Sequence, residues 1–189
     1  MTEQFIPPHG GYKDLLAFQK AEIVYDATVK FCADLLDKRD RTVDQMVQAA
    51  RSGKQNIVEG SMASGTSKEM EIKLTNVARA SLEELLTDYR DFLRTRGFAE
   101  WAKDHPHVRR LQELNRTPGA NYETFRQAVE HPDSAIRANA IIGLIKVTNY
   151  LLDQQIRRLE QDFLKEGGLR ERMTRARLQH RSQQQGRHP

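Results

Sequence analysis

Four long segments of this chain repeat apolar residues at three- and four-residue steps, the spacing that aligns side chains on one face of an α-helix. They cover residues 12–37, 42–59, 66–96 and 133–165. No stretch of useful length alternates apolar and polar residues as a strand does. The pattern therefore predicts an all-α chain, in which four amphipathic helices form an antiparallel up-down four-helix bundle.

Local signals predict how the helices begin and end. Gly60 stands where a C-terminal cap of the second helix is expected, so residues 61–65 are predicted to be a loop. Thr66 and Glu69 have the spacing of a capping box at the start of the third helix. The predicted buried face of that helix comprises Met70, Leu74, Val77, Ser81, Leu85, Tyr89 and Phe92 or Leu93.

The remaining segments define the predicted domain organisation. Residues 1–11 form an N-terminal extension, and residues 12–166 form the bundle. Within it, residues 98–132 contain three prolines and only short apolar periodicities, which predicts an inserted helical connection between the third and fourth helices. Residues 167–189 are basic and contain few apolar residues, so they are predicted to be a disordered tail.

Positive charge is concentrated in that tail. The net charge is +4, but residues 167–189 alone contain six arginines against one acid, so the rest of the chain is nearly neutral. The single cysteine, Cys32, excludes an internal disulfide and suits a reducing compartment. Because no apolar run is long enough to span a bilayer, we expect no membrane association and a cytoplasmic location.

Three groups of basic residues are candidates for binding a polyanion. On the third helix, eleven-residue steps align cations on one line, which is either a phosphate-tracking stripe or a solvated face with an Arg79–Glu83 pair. The tail is either an arm that binds RNA or DNA, or a solubilising end. The candidate nucleic-acid-binding residues are Arg51, Lys54, Lys68, Arg79, Arg90, Arg94, Arg170, Arg172, Arg175 and Arg177.

The fourth helix is apolar over more of its circumference than one groove of a bundle needs. Its second side must be covered either by residues 98–132 or by a neighbouring copy of the chain, and we favour the neighbour. The sequence therefore predicts a homo-oligomer, and the candidate interface residues are Ile141, Ile145, Leu152 and Ile156.

No group of residues indicates catalytic chemistry. Residues 51–55 resemble the end of a phosphate-binding loop, but Gln48 replaces its first glycine and Gln55 replaces its Ser or Thr. The helices lack the Glu-x-x-His pairs of di-metal bundles, and no cysteine pair supports a zinc site. We expect no enzyme activity, no metal and no cofactor; a bundle enzyme would instead co-purify with one.

Short motifs in the second and third helices form a recognisable pattern. An Asn-x-x-Glu-Gly helix end at residues 56–60 is joined to a Ser/Thr-x-x-Glu start at residues 66–69 and an Ala-Arg-x-Ser-x-x-Glu-Leu run at residues 78–85. The pattern resembles the four-helix-bundle protein family, which includes proteins encoded within ribosomal RNA intervening sequences and the accessory variability determinant of diversity-generating retroelements. The basic tail resembles that family's longer subgroup with a suffix domain.

The resemblance implies a homopentamer and, for the retroelement accessory protein, a basic surface that binds nucleic acid and a reverse transcriptase. We therefore expect a non-enzymatic, oligomeric accessory protein that binds RNA or DNA. The alternative is a structural adaptor that scaffolds a partner protein without binding nucleic acid. Salt-dependent binding separates these hypotheses, because only phosphate contacts release counterions.

Overall fold

The computed structural model describes residues 9–185. A short 3-10 turn precedes the α-helices, which are α1 (Leu16–Leu35), α2 (Arg41–Ala63), α3 (Lys68–Thr95), α4 (Pro106–Asn115), α5 (Tyr122–Val129), α6 (Ser134–Glu166) and α7 (Leu169–Gln185). The described residues contain no strand, so the prediction of an all-helical chain is confirmed.

Each of the four long helices packs against two of the others: α1 and α3 both contact α2 and α6. Polar contacts fix the relative direction of α3 and α6. Arg79 contacts Asp153, whereas Glu83, one turn later on α3, contacts Asn149, one turn earlier on α6. These two helices therefore run in opposite directions.

Aromatic residues fill the space between the long helices. The rings of Phe31 and Tyr89 meet edge to face with centroids 5.0 Å apart, and both side chains are fully buried. Tyr89 donates its hydroxyl to Thr28 Oγ1 at 3.1 Å, which satisfies a polar group that would be costly to bury alone. This core links α1 to α3 across the molecule.

Gly60 does not end α2, which corrects the predicted cap and the predicted loop after it. The helix continues to Ala63, and Gly60 is buried within it. A Cβ at this position would lie 3.4 Å from both the Glu71 carbonyl oxygen and Leu74 Cβ. The glycine therefore allows α3 to approach α2 closely, rather than permitting a left-handed turn.

The predicted capping box at the start of α3 is also wrong by one residue. Ser67 is the N-cap, and its hydroxyl oxygen accepts a hydrogen bond from the Met70 amide at 3.1 Å. The Thr66 hydroxyl instead donates to the Ala63 carbonyl at 3.3 Å. Glu69 forms an ion pair with Lys73, so its carboxylate does not cap the helix.

The buried face of α3 differs from the predicted one in its first half. Met70 and Val77 are exposed, and the buried positions there include Thr75 and Ala78. Hydropathy does not mark Thr75 as a core residue, but its hydroxyl donates to the carbonyl four residues earlier. From Leu85 onwards, the predicted and observed faces agree.

The segment 98–132 contains α4 and α5, and both pack on α6. Asn139 on α6 holds the start of this segment: its Oδ1 accepts from the Trp101 amide at 2.8 Å, and its Nδ2 donates to the Ala99 carbonyl at 3.0 Å. Gly143 gives Leu111 of α4 room, since a Cβ there would lie 3.2 Å from Leu111 Cδ1. The same chain therefore covers the second side of α6.

This packing corrects the candidate oligomer interface. Ile141, Ile145 and Leu152 have no exposed surface within the single chain, and Ile156 is half-buried. The first three cannot contact a neighbouring copy while α6 stays in this fold. The packing of α4 and α5 against α6 accounts for part of its apolar width within the single chain.

The basic tail is helical between residues 169 and 185, which corrects the prediction of disorder there. Gly167, with φ +72°, ends α6, and the Gly168 amide donates to Glu171 Oε2 at 2.8 Å at the start of α7. Most α7 side chains are exposed. Residues 1–8 of the predicted N-terminal extension and residues 186–189 of the predicted tail lie outside the described residues.

Candidate nucleic-acid interface

The predicted cationic line on α3 begins and ends in local ion pairs. Lys68 contacts Glu71 at 3.1 Å, and Arg94 contacts Asp91 at 2.8 Å. Burial raises the pKa of Glu71, and the Lys68 ammonium opposes that shift. Lys68 is itself only partly exposed, and its ammonium pairs with a buried carboxylate of its own helix.

Arg79 is paired across helices. It contacts Asp153 of α6 at 3.0 Å, not Glu83, its partner in the alternative prediction of a solvated face. Glu83 instead accepts a hydrogen bond from the Asn149 side chain at 3.1 Å. The middle of the predicted stripe is therefore a seam between α3 and α6, in which the arginine faces a carboxylate of its own chain.

Arg90 is paired with a residue that sequence reasoning did not single out. Its Nε donates to Glu100 at 3.0 Å, and Lys146 of α6 donates to the same carboxylate. Burial would raise the pKa of Glu100, but the hydrogen bonds from Lys146 and Arg90 outweigh it, so the pKa is lowered. One anion therefore holds two cations at this end of α3.

The second candidate patch, on α2, is only partly available. The Lys54 ammonium lies 4.3 Å from the centroid of the Tyr25 ring, a cation–π contact. Its charge also acts on Asp26: burial raises the pKa of that carboxyl above its usual value, and the Lys54 charge offsets only part of the rise. Arg51 is exposed and forms no ion pair among residues 9–185.

The basic helix α7 differs from both. Its single acid, Glu171, is bound to the Gly168 amide. Its arginines form no ion pair within the part of the chain that the structure describes, and Arg172 alone is half-buried. The remaining four are exposed: Arg170, Arg175, Arg177 and Arg181.

Sequence reasoning missed Arg181 as a candidate binding residue, although its spacing contained the signal. It lies four residues after Arg177 and eleven after Arg170, and both separations are close to whole helical turns. These three arginines therefore align along one side of α7. A prediction of disorder for the tail implies no helical face there, so the alignment follows only once α7 is helical.

The surroundings of Cys32 and of residues 51–55 do not favour nucleophilic or phosphate-binding chemistry. Burial raises the pKa of the Cys32 thiol to about 11, with further contributions from Asp88 and Asp40, so the thiolate is scarce at neutral pH. The fragment 51–55 lies inside α2, where Gly53 faces Leu82. That glycine serves helix packing and forms no phosphate-binding loop.

No family model, curated protein or solved structure matches this chain. The family resemblance therefore stays a hypothesis that rests on the motifs of residues 56–85. Across residues 9–185, no three His, Cys, Asp or Glu side chains are grouped as metal ligands would be. In the same range, no helix combines the length and apolar character needed to cross a bilayer.

Proposed function

We propose that this chain is a non-enzymatic nucleic-acid-binding accessory protein whose basic helix α7 contacts phosphates. In this proposal α1, α2, α3 and α6 form an antiparallel up-down four-helix bundle, with residues 98–132 as a helical insertion. The contacts of each long helix with two others support that arrangement. The observation that carries the binding role is the set of exposed arginines on α7 that form no ion pair within residues 9–185.

The chemistry of α7 favours RNA or DNA backbones over a specific base sequence. An arginine without an internal carboxylate can bind a phosphate bidentately and release its condensed counterions. The alignment of Arg170, Arg177 and Arg181 allows several phosphates to be contacted from one side of the helix. Phosphate contacts set affinity and register without reading bases.

Assembly and a protein partner extend this proposal. A homo-oligomer, a pentamer by the family resemblance, would present several copies of α7 and raise affinity through multivalency. Its interface would have to use surfaces other than Ile141, Ile145 and Leu152. A reverse transcriptase as partner rests on the resemblance alone, and native mass measurement tests the oligomer directly.

The test is salt-dependent binding of a fluorescent single-stranded RNA, followed by anisotropy between about 50 and 200 mM salt. Replacing the four exposed α7 arginines with Gln is expected to reduce the slope of log K against log salt by about 3, since each phosphate contact contributes ~0.7. A matched control with the same change in net charge replaces four paired arginines with Gln: Arg79, Arg90, Arg94 and Arg126. The control is expected to retain most of the slope.

A structural adaptor is the second candidate, and the ion pairs on α3 favour it. Because the cations of the predicted stripe face carboxylates of the same chain, that surface is nearly neutral and suits a protein partner better than a polyanion. If the wild-type chain retains neither RNA nor DNA at about 50 mM salt, the adaptor proposal replaces the nucleic-acid proposal.

A further inference from the structure

A cavity of about 290 Å³ lies between α4, α5 and α6, away from the basic helix. Its apolar walls include Trp101, Leu111, Phe125 and Ile136. Small-molecule pockets usually have volumes of roughly 300–1,000 Å³, so this cavity suits a single ring system rather than an extended ligand. Two of its walls are aromatic, which favours a flat occupant.

The tryptophan wall is held in a fixed position. Asn139 is almost fully buried and binds both the Trp101 amide and the Ala99 carbonyl. On the ring itself, the His105 imidazole stacks in parallel, with centroids 4.9 Å apart and an interplanar angle of 4°. The indole is therefore oriented before any ligand arrives, which lowers the entropic cost of binding.

Polar groups with both donor and acceptor character line the rest of the cavity. Gln127 projects from α5, and His131 lies just beyond it. Thr124 also lines the cavity, but its hydroxyl is engaged with Asn121 in the cap of α5. His131 Nδ1 accepts a hydrogen bond from the Asp133 amide at 3.0 Å, so in the neutral ring Nε2 carries the proton and can donate. The edge of a nucleobase presents the matching mixture of acceptors and donors.

A cationic group lies at the same cavity. Arg110 of α4 lines it and pairs with Glu113 at 3.1 Å, but both side chains are about two-thirds exposed. Such exposed pairs contribute at most about 1 kcal/mol. A phosphate could therefore take the place of Glu113 beside Arg110 at little cost.

We propose that this cavity binds the base of a nucleotide, with the phosphate beside Arg110. The site goes beyond the binding of nucleic-acid backbones by α7, because it recognises a planar ring rather than a row of phosphates. The same chemistry is offered by a free mononucleotide and by an unpaired base of a strand. Where the base belongs to a strand, the inference rests on the proposed function.

The experiment uses Trp101, the chain's only tryptophan, as an internal reporter. Its fluorescence is followed in the full chain during titration with AMP, adenosine or ribose 5-phosphate. AMP is expected to change the signal saturably, adenosine to bind more weakly, and ribose 5-phosphate to have no effect. Arg110→Gln should weaken AMP binding about tenfold, as expected for one lost charged hydrogen bond.

Two further variants separate binding from folding. Arg109→Gln removes an exposed arginine of α4 that does not line the cavity, so it should bind AMP like the wild type. Ala128→Leu adds bulk to the cavity lining and should abolish the response while circular dichroism stays helical. The proposal is overturned if neither AMP, up to about 5 mM, nor an oligo-A decamer changes the signal, or if Arg110→Gln and Arg109→Gln bind alike.

An oligonucleotide arm identifies the source of the base. If an unpaired base is the ligand, an oligo-A decamer should quench Trp101 more strongly than AMP, and an abasic decamer should not quench it. If RNA is retained by the wild type but neither AMP nor oligo-A affects Trp101, the cavity proposal fails and the α7 proposal stands. If no RNA is retained but AMP quenches Trp101, the cavity proposal stands and the α7 proposal fails.

Discussion

The helices α3 and α7 both carry basic residues at regular helical spacings, yet their electrostatic surroundings are opposite. On α3, Arg79 and Arg90 face carboxylates supplied by Asp153 and Glu100, which lie far along the chain or beyond the helix end. On α7, the exposed arginines form no ion pair within the described residues. The same residue type at similar spacing therefore gives a neutral seam in one helix and a basic surface in the other.

The difference follows from packing. The helix α3 lies between α2 and α6, so residues on its flanks meet the side chains of its neighbours. The helix α7 is largely exposed, and its one acid binds a backbone amide. A regular row of cations thus predicts a binding surface only where no packed neighbour supplies acids.

The largest effect is expected from a substitution that disturbs the packing of α3. Gly53→Val would place a Cβ 2.7 Å from Leu82, whose side chain is fully buried. We expect a loss of about 3 kcal/mol in the free energy of unfolding, or roughly 6–12 °C in Tm. Thermal unfolding measures it, and Gly11→Ala, with no atom within 4 Å of its Cβ, is the control. An unchanged Tm for Gly53→Val would show that α3 is not closely packed.

An arginine needs an acid partner when it is buried but not when it is exposed, as on α7, and Arg137 provides a test of this difference. Arg137 is almost fully buried, donates to the Val129 carbonyl and pairs with Asp34 at 2.9 Å. Asp34→Asn should cost about 2 kcal/mol at pH 7, between the values for buried and exposed pairs. The exposed pair of Asp91, removed by Asp91→Asn, should cost less than about 1 kcal/mol. Equal costs for the two would contradict the role given to burial.

The same pair predicts a pH dependence. Hydrogen bonds from Lys30 and then Arg137 lower the pKa of Asp34. Because the folded-state pKa lies below the unfolded value of about 3.9, this stability is present above about pH 4 and is lost as the pH falls through the folded pKa. The Tm values of the wild type and of Asp34→Asn, plotted against pH, should therefore converge on acidification. Parallel curves down to about pH 2 would refute the assignment.

Removing the acid partners of the α3 arginines should make that surface resemble α7. Removing the acids that pair with α3, by Asp91→Asn, Glu100→Gln and Asp153→Asn, should expose a row of free arginines. RNA affinity is expected to rise about tenfold at low salt, and the salt slope to steepen by about 2. The control removes three exposed acids that form no ion pair in the described range 9–185: Glu22, Asp44 and Glu84. If both triple variants bind RNA alike, net charge rather than ion pairing controls binding.

Helix content and several helix ends could be predicted because they depend on neighbours in the sequence. The start of α6 at Asp133 follows from a side chain that accepts amide hydrogen bonds within its own turn. The end at Gly167 follows from a conformation that glycine adopts freely. Gly60 shows the limit of such signals, since the same residue type served packing there.

The sequence alone determined that the chain is helical and where its charge is concentrated, because these properties are local and can be seen within a turn or two of helix. Only the tertiary structure decided which cations are free and what covers α6. The partner of Arg79 lies at residue 153, and the residues over Gly143 come from α4. Contacts between distant residues depend on how whole helices pack, and local periodicity carries no record of that.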